Sequence, residues 1–120
     1  MVPGHCVLLY QSTNASGTIE LAASVSQATS TLLVLNQAHT GSGGATVADI
    51  ATAVNSTTAT AISSTIGGGT ANTTYADNIS FILNTTTAQT TPTTVQIYGE
   101  SSSTSYTQSI QPGSYCVLGN

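Results

Sequence analysis

The chain has no lysine and no arginine in 120 residues. Without them it cannot neutralise phosphates, so the electrostatic attraction that dominates nucleic-acid binding has no source here. The same absence rules out attraction to an anionic lipid surface and any mechanism built on a lysine Schiff base, a phosphate-loop lysine or an arginine finger. Tryptophan is also missing and there is a single phenylalanine, which leaves a sugar-cleaving site without its usual stacking platforms. No apolar run reaches the length of a membrane-spanning helix, and no C-x-x-C motif supports a zinc ribbon or a redox pair. Charged residues of both signs make up 3% of the chain, against roughly a quarter in ordinary domains.

What remains is hydroxyl. Serine and threonine account for 39 of the 120 residues, and four acids (Glu20, Asp49, Asp77, Glu100) give a net charge of −4. Disorder needs low hydropathy together with high charge; here the mean hydropathy is +0.17 and 39% of residues are apolar. The length fits one domain. A surface of hydroxyls depends little on salt, because few exposed ion pairs exist to be screened. It also gives copies little mutual repulsion. Something bulky must cover such a surface, or the copies are meant to adhere, and both outcomes suit an extracellular structural protein.

Short strands dominate the pattern. Candidates are residues 6–11 (CVLLYQ), 17–23 (GTIELAA), 31–36 (TLLVLN), 58–66 (TATAISSTI), 78–84 (NISFILN), 93–99 (TTVQIYG), 105–110 (SYTQSI) and 114–119 (SYCVLG), separated by Gly, Ser, Asn and Pro stretches. The expected fold is mostly β: a single β-sandwich or jelly-roll-like domain over residues 12–120, preceded by an N-terminal strand or connector, residues 1–11. One short helix is expected at about 46–55. There Thr46 and Asp49 form an acidic variant of the capping box, and Val47, Ile50, Ala51 and Val54 form an apolar stripe. The surrounding TVADIATAVNSTTATAISSTIGGG resembles the strand-helix-strand inserts of flagellin, hook and phage tail-fibre proteins.

Two apolar runs, CVLLY and TLLVL, are hydrophobic on both faces and so need cover on both. The predicted helix would cover one, and another copy of the protein is the natural cover for the other. The N-terminal run, with Val7, Leu8, Leu9 and Tyr10, is placed to leave its own body and add as a strand to a neighbour. A first strand packed at home is the equal alternative.

Five of the six internal asparagines open Asn-x-Ser/Thr triplets: Asn14, Asn55, Asn72, Asn78 and Asn84. A chain one-third Ser/Thr would produce about two by chance, so N-linked glycans are expected at these positions. Strict alternation in NISFIL puts Asn78 and Asn84 on the outward face and leaves Ile82 as the one apolar residue there. Cys6 and Cys116 are expected to form a disulfide, within one chain or between chains if the first strand is donated. His5 and Cys6 are adjacent, so on a strand they face opposite ways and cannot form a nucleophile pair. His39 falls in NQAHTGSGG, expected to be a loop, where the G-x-S-x-G spacing is absent. No enzyme, metal site or cofactor is expected.

In composition and layout the whole chain resembles the subunits of archaeal extracellular threads and donor-strand pili, small glycosylated β domains that pass an N-terminal strand to the next subunit. That resemblance implies residues 2–11 as donor strand, the five sequon asparagines as glycan sites, and a homopolymer at the cell surface. It also implies an exported chain, although MVPGHCVLLYQ lacks the basic start of a secretory signal. The N-terminal cysteine is similar to the connector of bacterial endospore appendage subunits. The alternative function is a capsid, decoration or fibre protein in the virion of an extremophile virus; an ice- or carbohydrate-binding module comes third, because the threonines follow no fixed repeat.

Overall fold

The computed structural model describes residues 1–27, 29–40, 46–62, 66–67, 70–85, 90–101 and 104–119. Among these described residues ten strands occur: β1 (Val2–Ser12), β2 (Thr18–Val25), β3 (Ser30–Thr40), β4 (Thr46–Val54), β5 (Thr60–Ala61), β6 (Ile66–Gly67), β7 (Thr74–Thr85), β8 (Val95–Ser101), β9 (Gln108–Ile110) and β10 (Tyr115–Leu118). One sheet has the order β10-β1-β7-β3-β4, with β9 also pairing β1; the second has β5 and β6 on one side of β2 and β8 on the other. Every described pairing is antiparallel.

Period-two patterning explains which faces meet. On β7, Asp77, Ile79, Phe81 and Leu83 are buried while Asn78, Ser80 and Ile82 are exposed. On β2, Ile19, Leu21, Ala23 and Val25 point inward. Together with Cys6, Tyr10, Leu32, Val34, Val54 and Ile62, these apolar side chains from both sheets form one core. Two antiparallel sheets sharing one core make a β-sandwich-like fold.

No helix occurs among the described residues. Residues 46–54 form β4, paired residue by residue with β3 from Leu32↔Val54 to Thr40↔Thr46. Thr46 and Asp49 therefore do not begin a helix: their cross-strand partners are Thr40 and Gln37. The cause lies in the residues themselves. Five of the nine, Thr46, Val47, Ile50, Thr52 and Val54, are β-branched, and a nine-residue helix is marginal alone, whereas β3 offers a complete ladder. The helix implied by the flagellin-like and fibre-like resemblance is likewise absent. His39 lies in β3 rather than in a loop; the glycine-rich residues 41–45 are outside the described residues.

β1 pairs with β7 along ten residues, Val2↔Leu83 to Gln11↔Thr74. Its other edge takes β10 at residues 4–7 and β9 at residues 10–12. Between β9 and β10 the segment Gln111–Ser114 bulges away, since four residues there face only Leu8 and Leu9. Ser114 Oγ accepts from the Leu9 N–H at 2.9 Å, and the Gln111 N–H donates to the Leu9 carbonyl at 2.7 Å. Gly113, at φ +96°, takes the left-handed conformation that the bulge requires.

Where β1 ends, a polar cluster clamps it to β9. The Ser12 hydroxyl is fully buried; it donates to the Asn14 carbonyl at 2.8 Å and accepts from Gln108 Nε2 at 3.0 Å. Gly17 makes room for it. A Cβ at position 17 would overlap the Ser12 hydroxyl and lie 2.6 Å from Gln108 Nε2. Gly17→Ala is expected to cost about 1–3 kcal/mol, the usual range for overpacking, read as a lower urea midpoint. An unchanged midpoint would show that the cluster yields freely.

Candidate assembly surfaces

The structure brings Cys6 and Cys116 together as direct cross-strand partners and joins them in a disulfide within the chain. Cys6 is buried and Cys116 exposed, so the bond runs from the core to the surface and ties β1 to β10. His5 points the other way, exposed, with its ring edge-on to Tyr115 at 5.8 Å between centroids. No group of three or more metal-ligating side chains occurs among the described residues.

Val7, Leu8, Leu9 and Tyr10, the residues offered for donation, lie in the middle of a strand that is flanked on both sides by its own chain. Tyr10 is fully buried and Leu8 packs against the core. On the opposite face of β1, Gly113 of the bulge comes close to the half-buried Leu9 side chain. The second run, TLLVL, stays half-covered: Leu32 and Val34 are buried, but Leu33 and Leu35 remain 49% and 42% exposed, because β4 lies beside β3 and not over it.

Two apolar surfaces result. The first is the outward face of the larger sheet, where the cross-strand row Pro3, Ile82, Leu33 and Ala53 borders a shallow concavity of about 730 Å³. Asn78 and Asn84 lie on this same face of β7, on either side of Ile82. The second is a cleft of about 500 Å³ that opens between the edge formed by β9 and β10 and the edge formed by β8. Leu8, Leu21, Phe81, Ile97, Ile110 and Leu118 line it, the two cysteines border it, and no residue around it is charged. Along its rim Ile110, Val117 and Leu118 are 51%, 43% and 56% exposed. Neither β8 nor β10 has a described partner strand on its outer side.

The sequons avoid the cleft. Asn14, Asn55, Asn72 and Asn78 are exposed and Asn84 is half-buried. Asn14 closes a local turn, its Oδ1 accepting from the Ser16 N–H at 2.8 Å, and Asn72 sits at a turn with φ +59°. Between residues 85 and 119, the segment that supplies β8, β9 and β10, there is no asparagine at all.

The residue that sequence reasoning missed is Asp77. It is fully buried, although it is one of only four acids in the chain. The signal was available: extending the alternation of Ile79, Phe81 and Leu83 by one step toward the N-terminus places Asp77 on the inward face. The chain matches no family model, no curated protein and no solved structure.

Proposed function

We propose that the protein is a structural subunit of an extracellular, glycosylated filament that assembles through β-strand contacts between copies. The observation that carries this reading is the uncharged apolar cleft between the β8 and β9–β10 edges, which no sequon asparagine lines. An open strand edge next to an apolar cleft is a template for another strand: the backbone supplies hydrogen bonds and the cleft takes alternate side chains. Natural domains block such edges with lysine, proline or inward charge. Here β8 and β10 carry no proline and no lysine, and the one charged residue on either is Glu100 of β8.

The occupant is a second copy. A strand entering an uncharged cleft must itself be uncharged on the face it buries, and most strands of this chain meet that condition, the edge strand β10 among them. The outward face of the larger sheet is left to sugar, since glycans on Asn78 and Asn84 would stand over Ile82 and Leu33. The disulfide suits an oxidising extracellular setting. No helix among the described residues is long and apolar enough to cross a membrane.

Negative-stain electron microscopy of the native material, with denaturing gels, glycan staining and intact mass, tests the reading. Filaments built only of this chain and carrying sugar are the expected result. Isolated particles, or this chain found only among other capsid proteins, would replace the reading with the virion alternative. Unmodified asparagines would remove the glycan part alone.

A further inference from the structure

We propose that the Cys6–Cys116 disulfide licenses assembly: it pins β10, and so completes the cleft that takes a neighbour's strand, only in the oxidised chain. The bond sits at the cleft itself. Cys6 and Cys116 both border the cavity, and β10 supplies Val117 and Leu118 to the same wall.

β10 has little else to hold it. All four of its residues, Tyr115–Leu118, are exposed, and none belongs to the core. It pairs with β1 over four residues, Gly4↔Leu118 to Val7↔Tyr115, and has no described partner strand on its outer side. Two further contacts hold its ends: Tyr115 stands edge-on to His5, and the Gly119 N–H donates to the Pro3 carbonyl at 2.8 Å. β7, by contrast, pairs with β1 along ten residues and with β3 along eight, and it buries Ile79, Phe81 and Leu83. Cys6 is 1% exposed and belongs to that same core, so the disulfide is what ties β10 to buried structure.

A short edge strand paired on one side opens at a free energy well below that of the core. The bulge Gln111–Ser114, with Gly113 at φ +96°, separates β10 from β9, so β10 can leave β1 without pulling β9 from residues 10–12. When it leaves, Val117 and Leu118 go with it, and the edge that remains is residues 4–7 of β1. That edge is set back by one strand's width, about 4.8 Å. The continuous wall of β9 and β10 is broken, and an incoming strand loses both a backbone partner and part of its apolar contact.

The chemistry is thiol–disulfide exchange at the exposed Cys116. A reductant's thiolate bonds to Cys116 Sγ, the Sγ–Sγ bond breaks, and Cys6 leaves as a thiolate that takes up a proton. A second reductant thiol then displaces Cys116, and the reductant departs as its own disulfide. Two electrons and two protons pass to the chain, and a small-molecule disulfide reverses the step. A chain made in a reducing compartment thus lacks a finished cleft and gains one in an oxidising exterior. The link to assembly rests on the filament reading; the hold on β10 is a property of the monomer.

The test compares the natural chain, oxidised and reduced with dithiothreitol, and Cys116→Ser, which leaves Cys6 in place. Sucrose, excluded from the protein surface, keeps the reduced fold populated. Amide hydrogen exchange reads β10 and β7, and electron microscopy with sedimentation reads polymerisation. After reduction, amides of residues 115–118 should exchange within about tenfold of the unfolded-chain rate while those of β7 stay protected. Polymerisation should be lost in the reduced chain and in Cys116→Ser, and a small-molecule disulfide should restore it to the natural chain alone. β10 amides that remain as protected as those of β7 after reduction would overturn the proposal, and so would a reduced chain that polymerises as readily as the oxidised one. An oxidised chain that forms no filaments counts against the filament reading instead, and the exchange comparison still decides whether the bond holds β10.

Discussion

Replacing Cys6 and Cys116 together by serine is expected to lower the unfolding free energy by about 4 to 5 kcal/mol, the chain-entropy value for a crosslink of this span. The two residues are 110 apart in sequence, so the bond closes nearly the whole chain and removes more freedom from the unfolded ensemble than a local bridge would. A serine at the fully buried position 6 also places a hydroxyl in the core, which adds to the loss. For a domain of this size the melting temperature should fall by on the order of 15 °C or more. Because Cys116 is exposed, a reductant can reach the bond, and the natural chain under reducing conditions should approach the double variant. A melting temperature that neither reduction nor substitution moves would mean that the β1–β10 contact holds without the bond.

Much of the fold could be read from alternation, and the exceptions have physical causes. Each of the eight apolar-patterned stretches contains strand, though the described part of residues 58–66 holds only β5 and the first residue of β6 at the margin of the smaller sheet. The helix at 46–55 failed because a stripe of Val47, Ile50, Ala51 and Val54 and the β-branched content of the same nine residues support opposite conclusions. A complete ladder with β3 decides between them, and that ladder is tertiary information. The disulfide followed from two cysteines in strand-like segments. That it closes within the chain depends on β10 lying beside β1, which spacing does not reveal. The cleft was not legible at all, since it exists only because β8 and β9–β10 end up as edges on the same side of two sheets. Asp77 was legible and overlooked, because an acid beside a sequon invites a surface reading.

The cleft also yields the sharpest test of assembly. Ile110→Lys together with Leu118→Lys should leave the monomer folded and abolish polymerisation. Both residues are more than half exposed, at 51% and 56%, so their substitution removes little of the monomer's own packing, and each new ammonium stays in water while the cleft is empty. Once a neighbour's strand enters, the same ammonium groups must be buried among Leu8, Leu21 and Ile97, with no acid lining the cleft; Glu100 borders a smaller cavity beside Ile110, so the Leu118→Lys ammonium is the one left without a counter-charge. An unpaired buried charge costs several kcal/mol, and each 1.4 kcal/mol is tenfold in affinity. Association should therefore fall by about a thousandfold or more, enough to leave monomers at concentrations where the natural chain forms fibres. Analytical ultracentrifugation and electron microscopy, with unfolding curves to confirm the intact monomer, read the result. Filaments of undiminished length would move the contact to another surface. Leu33→Lys with Ile82→Lys then asks whether it is the outward face of the larger sheet: loss of assembly there, with the cleft variant still polymerising, would mean that protein rather than sugar covers that face.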